Sequence, residues 1–125
     1  MNVQTHHFFV LFSYLYLGNN NITELPMKTF GRLCANLRTL TLSENRIGPT
    51  FPKVSLRRCS RLGNLDLSYN MIKQLRPEDF TQWAQDLSSL NLAANLLNSL
   101  QARVFRGCPR LRKVIIHNDN FITTR

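Results

Sequence analysis

The chain has 125 residues, 43% hydrophobic and 18% charged, a balance that excludes intrinsic disorder and sets the expectation of one folded domain. Sixteen Lys and Arg against seven Asp and Glu give a formal net charge of +9, which draws acidic partners, nucleic acid or anionic surfaces by long-range attraction. Three cysteines, an odd number without a CxxC pair, exclude a disulfide framework.

Residues 1–11 form an N-terminal segment, read either as a partial repeat or as a weak signal-like stretch. The apolar, aromatic run Phe8–Leu17 has about the length of a signal-peptide core and is too short to span a bilayer. No Lys or Arg precedes it and no small-residue cleavage site follows, which argues against a signal peptide.

From residue 12 to 125 the chain repeats itself. The stretches Phe12–Ile22, Leu37–Ile47, Leu62–Ile72 and Leu87–Leu97 superimpose with a period of 25, placing Asn20, Asn45, Asn70 and Asn95 at one position. A fifth stretch, Leu111–Phe121, fits if the last spacing shrinks to 24, which puts Asp119 in the Asn position. A strict 25 would select Asn120 and set Arg112, Ile115 and His117 where Leu belongs. That choice sacrifices two apolar burials of about 1.5–3 kcal/mol each, so the hydrophobic register wins.

The pattern LxxLxLxxNxL in these units is similar to the leucine-rich repeat, carried in full by three units and by the first with Phe12 in place of the opening Leu. The resemblance implies an α/β solenoid: a curved parallel β-sheet of about five strands on the concave face, with loops and short helical turns on the convex face. In each unit the LxL pair alternates as a strand does, so Leu40 and Leu42 point inward while Thr39 and Thr41 point out. The position shared by Asn20, Asn45, Asn70, Asn95 and Asp119 is predicted to form a ladder turned into the core, where an amide both donates to and accepts from backbone groups. Asp119 accepts but cannot donate when ionised, which suits a final coil better than an internal one.

The crossings between strands carry Leu25, Leu75 and Leu100, then Phe30, Phe80 and Phe105, as anchors for the convex half of the core. The second crossing departs from this, with Thr50 and Ser55 in the anchor positions and two prolines nearby. Phe51 and Leu56, each one residue later, are expected to take over within an irregular loop, because proline fixes φ and removes a donor. The other crossings are expected to hold short helical turns, the third starting near Pro77-Glu78-Asp79.

Cys34, Cys59 and Cys108 recur three residues before the next opening Leu, with Ala84 in the remaining unit, and read as small apolar packing on the convex side. No HExxH, acid pair or nucleophile constellation accompanies His6, His7 or His117, so neither an enzyme nor a cofactor or metal site is expected. Asn21-Ile22-Thr23 is an N-glycosylation sequon whose asparagine should face outward.

The concave face is predicted to bind a protein partner. Its outward residues are Tyr14 and Tyr16; Thr39, Thr41 and Glu44; Asn64, Asp66 and Tyr69; Asn91; and Ile115 and His117. They make a mixed polar surface with tyrosine anchors, the residue type enriched at interface centres. Five strands at about 4.8 Å spacing span about 20 Å, the footprint of one standard interface of roughly 800 Å² per partner. Arg32, Arg57, Arg58, Arg61, Arg106 and Arg110 fall in the crossings, so the cations sit mostly behind the sheet. Nucleic acid or another polyanion stays open as a partner, with no aromatic-interleaved stacking surface or specific motif to support it.

The Phe-containing crossing and the Leu-x-Leu-Ser-x-Asn form of units two and three resemble the extracellular leucine-rich repeats of Toll-like receptors and related cell-surface proteins. The resemblance covers residues 12 to 121 and implies a ligand-recognition part of an innate-immune or adhesion receptor at the cell surface. The alternative is an intracellular scaffold that binds another protein with the same sheet. Without a recognisable capping motif, the stack is expected to be a segment of a longer recognition surface.

Overall fold

A computed structural model describes residues 13–117 and 119. The N-terminal segment 1–11, His6, His7, Phe12, Asn120 and Phe121 lie outside the described residues, as do the expectations that fall on them. Five three-residue strands, β1 (Tyr14–Tyr16), β2 (Thr39–Thr41), β3 (Asn64–Asp66), β4 (Ser89–Asn91) and β5 (Lys113–Ile115), make one parallel sheet in sequential order. The first four strands take their place because the central residue is apolar and buried while its neighbours are not: Leu15, Leu40, Leu65 and Leu90 point into the core, and Val114 of β5 is partly buried.

The register settles the spacing. Leu15 pairs with Leu40, Leu40 with Leu65 and Leu65 with Leu90, each 25 apart, whereas Leu90 pairs with Val114, 24 apart. The missing residue falls in the last crossing between Phe105 and Cys108, where the backbone passes close over the coil before it. A Cβ on Gly107 would lie 3.0 Å from the Phe80 backbone, so the shortened crossing needs glycine there.

The core fills from both sides. Leu42, Leu67, Leu92, Ile47, Ile72 and Leu97 complete the sheet side, and Leu25, Phe30, Leu75 and Phe80 the convex side. Phe51 and Leu56 are buried in the second crossing, taking over from Thr50 and Ser55 as the sequence predicts. The aromatic anchors touch from coil to coil, with ring centroids 4.8 Å apart for Phe51 and Phe80 and 5.5 Å for Phe80 and Phe105. Such tilted pairs add about 0.5–1.5 kcal/mol each beyond the area they bury.

The crossings follow their sequences with one correction. The first holds helix α1 (Met27–Cys34), and the third opens on a single 3-10 turn, Pro77–Asp79, where Asp79 accepts the Arg76 N–H at 2.8 Å. The second crossing is not irregular throughout: after the cis Gly48–Pro49 bond it forms a one-turn helix, α2 (Lys53–Leu56). Proline there precedes the helix instead of interrupting it, and burial of Leu56 against the neighbouring coils stabilises the turn. Gly48 has φ +149°, and a Cβ on it would overlap the Met71 carbonyl, so the entry to this crossing also requires glycine.

The cysteines correct a second expectation. Cys34 and Cys59 do not pack as free thiols but form a disulfide between successive coils, their Cα atoms 4.7 Å apart. Residues one period apart are spatial neighbours in a stack, which brings these two within bonding range. Cys108 does pack as a free, buried thiol, and burial pushes its pKa up to about 11.

Candidate functional site: the concave face

The asparagine ladder holds the loops beside the sheet in place. Asn70 is buried; its Oδ1 accepts the Ile47 N–H at 2.9 Å, and its Nδ2 donates to the carbonyls of Leu42 and Leu67 at 2.9 and 3.0 Å. Asn45 and Asn95 repeat this arrangement one coil before and after. Each amide joins its own turn to the preceding coil, and each is satisfied on both sides.

The two ends of the ladder differ from the middle. Asn20, expected in the core, is exposed, and its Nδ2 donates to the Gly18 carbonyl of its own turn. At the other end the Asp119 Oδ1 accepts the Leu97 N–H at 3.0 Å, while its buried Oδ2 has no partner among the described residues. Burial raises the Asp119 pKa, the hydrogen bond from Leu97 opposing it.

Immediately before the ladder residue, each turn adopts a left-handed backbone that the sequence pattern does not announce. Asn19, Glu44, Tyr69 and Ala94 have φ between 57° and 59°. Only Asn19 is a residue type that favours this region, so three coils carry local strain at the same rim of the sheet. Glu44 and Tyr69 are exposed there.

The strands place the remaining predicted residues in two columns across the face. Tyr14, Thr39, Asn64, Ser89 and Lys113 form one, and Tyr16, Thr41, Asp66, Asn91 and Ile115 the other. Tyr14, Tyr16 and Tyr69 are 59%, 66% and 57% exposed, large values for aromatic side chains in a packed fold. The rings of Tyr14 and Tyr16 lie parallel with centroids 6.4 Å apart, a stacked aromatic pair at the first strand. Thr39, Thr41, Asp66, Asn91 and Ile115 are partly covered, and Asn64 and His117 are exposed.

Asp66 and Asn91 hold fixed poses. Asp66 Oδ1 accepts the N–H and hydroxyl of Ser68 at 2.9 and 2.7 Å, and Asn91 Oδ1 accepts the Ala93 N–H at 3.0 Å. A carboxylate already oriented loses less conformational freedom on meeting a ligand. Glu44 and Asp66 thus make the middle of the face acidic, against a chain of net charge +9.

Behind the sheet, Trp83 escaped the sequence reading. It is buried and its Nε1 donates to the Asp79 carbonyl at 2.8 Å, closing the third crossing. The signal lay in its column, one period after Arg58 and two after the buried Leu33. A cleft of about 270 Å³ beside Trp83 has Lys53 and Arg57 on one wall and Glu78 on the other. Among the described residues, no three His, Cys, Asp or Glu side chains come together to hold a metal ion, and no helix is long and apolar enough to cross a membrane.

The leucine rich repeat family matches residues 13–72 and again 60–121. The chain belongs to that family. Among solved structures it is similar to TLR13 in its complex with ssRNA13, with 30% identity and a TM-score of 0.77 over 90% of this chain and 16% of that one. It also shares its fold with Toll in the Toll–Spatzle complex of Drosophila, with 24% identity and a TM-score of 0.74 over 91% of this chain and 15% of that one. No curated protein sequence matches it. The leucine-rich repeat chain therefore spans about a sixth of the length of these receptors.

Proposed function

We propose that this leucine-rich repeat chain is a ligand-recognition part of a cell-surface receptor of innate-immune or adhesion type, holding a protein partner against its concave sheet. The observation that carries the reading is the exposure of Tyr14, Tyr16 and Tyr69 on a face whose backbone is fixed by the ladder. Rigid aromatic side chains with a polar tip give large contact area at low entropic cost. Thr39, Thr41, Glu44, Asn64, Asp66, Asn91, Ile115 and His117 would surround them with hydrogen-bonding groups and charge.

An extracellular setting is supported by the likeness to TLR13 and by the Cys34–Cys59 disulfide, a bond that persists in oxidising compartments. Asn21 is exposed, so its sequon is accessible to a glycan once the chain enters the secretory pathway.

The test is capture of partners from conditioned medium on the immobilised chain, followed by affinity measurement with single variants. Tyr16→Ala, Asp66→Ala and Tyr69→Ala are expected to weaken a captured protein at least tenfold each, against less than twofold for Arg57→Ala or Arg106→Ala. Equal losses from both sets would remove the concave face from the reading. A cytosolic, unglycosylated native product would select the intracellular scaffold instead.

A further inference from the structure

The convex side of the first two coils carries a second kind of surface, unrelated to the tyrosines. We infer that Arg32, Arg57 and Arg58 form a binding site for a linear sulfated polysaccharide.

Three observations place these arginines together. Arg32 and Arg57 stand two residues before Cys34 and Cys59, whose Cα atoms are 4.7 Å apart in the disulfide, so the two arginines occupy the same column on adjacent coils. Arg32 lies in the last turn of α1 and Arg57 at the C-terminal end of α2, and these two helices pack against each other. The Arg58 Cδ lies 3.7 Å from where a Gly31 Cβ would stand, so the Arg58 stem reaches across onto the first coil beside Arg32.

Their charge is not neutralised within the fold. All three arginines are exposed, and the one ion pair among the described residues joins Arg110 to Asp86, at 3.4 Å. Glu44 and Asp66 lie on the front and Asp79 is buried in the third crossing, while Glu78 shares the cleft beside Trp83 with Lys53 and Arg57 but forms no ion pair with either among the described residues. Like charges held on adjacent coils, within a Debye length of about 8 Å at physiological salt, repel one another and are relieved by a bound polyanion. The disulfide fixes the coils that present them, so little order is lost on binding.

The chemistry favours sulfate over nucleic acid. Guanidinium forks match the oxygens of sulfate and phosphate groups equally well. Single-stranded nucleic acid gains a further 1–3 kcal/mol or so per base by stacking on exposed aromatic side chains. The exposed aromatics among the described residues are Tyr14, Tyr16 and Tyr69, all on the opposite face. A polysaccharide whose recognition rests on regularly placed sulfates needs none.

Heparin affinity as a function of NaCl tests this, with Arg57→Ser/Arg58→Ser compared against Arg103→Ser/Arg106→Ser, two exposed arginines on the fourth crossing that remove the same net charge. Thermal melts confirm that both variants fold. The cluster pair is expected to lose about tenfold in affinity with a shallower salt slope, and the control pair less than threefold. Desulfated heparin should not bind, and Tyr16→Ala and Tyr69→Ala should leave heparin affinity unchanged, separating this site from the concave one. Equal losses from the two arginine pairs, or retained affinity for desulfated heparin, would overturn the site. Tighter, cluster-dependent binding of a single-stranded oligonucleotide of matched charge would overturn the polysaccharide assignment.

Discussion

Asn70 and Asp119 occupy the same position in the repeat and meet opposite fates. In the middle of the stack, the Asn70 amide accepts the Ile47 N–H from the coil before it, donates back to the Leu42 carbonyl of that coil, and closes its own turn on Leu67. In the fifth coil Asp119 reproduces the accepting half, through Leu97, and leaves its Oδ2 buried without a partner among the described residues. One atom, nitrogen or oxygen, separates a satisfied slot from a half-satisfied one. Exchange of these two side chains tests how much of the fold that atom holds.

Moving the end's chemistry into the middle should have the largest effect. Asn70→Asp removes the bonds donated to the Leu42, Leu67 and Ser68 carbonyls and sets a buried carboxylate against them, an expected cost of at least about 3 kcal/mol in urea unfolding at neutral pH. Loss of less than about 1 kcal/mol would show that the ladder is dispensable once the leucines are packed.

The covalent link across the back is the next largest. Cys34→Ala/Cys59→Ala opens a closure spanning 25 residues and should cost about 3 kcal/mol under oxidising conditions. The same double variant should show no difference from the wild type when both are reduced.

Moving the middle's chemistry to the end should stabilise the protein. Asp119→Asn restores the donor and is expected to gain about 1 kcal/mol at neutral pH. The gain depends on pH with a definite sign. Because burial raises the folded-state pKa of Asp119, its favourable contribution is complete below its unfolded value and is lost as pH rises through the folded one. The advantage of Asp119→Asn should therefore be small in acid and grow toward neutrality. Asp79, also raised by burial, adds a slope of the same sign to both proteins and cancels in the difference.

The smallest effect is expected at the strained rim. Ala94, at φ 57°, bears a left-handed cost of about 1–2 kcal/mol, of which glycine would return about 0.5–1 in unfolded-state entropy. Ala94→Gly should thus stabilise the chain by about 0.5 kcal/mol. A loss would mean that the partly covered Ala94 methyl packs more usefully than the backbone strains.

The stack, its strand register and even its shortened final spacing were legible in the residues. A leucine on the wrong face costs more than any competing polar match, so the hydrophobic pattern at Val114 and Ile116 decided the alignment before any fold was known. The outward residues of the face followed from the same alternation, since a strand directs neighbouring side chains to opposite sides. The half-empty slot at Asp119 was foreshadowed by its chemistry alone, because a carboxylate has no proton to donate when ionised.

The tertiary structure decided everything that depends on which residues become neighbours across coils. Cys34 and Cys59 look like isolated small apolar residues along the chain, and only stacking sets their Cα atoms 4.7 Å apart. Asn20 carries the ladder's side chain, yet it is exposed and donates to the Gly18 carbonyl of its own turn. Trp83 sits in no aromatic column and is placed by the room its crossing leaves and by the Asp79 carbonyl. Periodicity is a statement about one coil's demand to bury its apolar side; disulfides, amide ladders and converging arginines are properties of the contact between two.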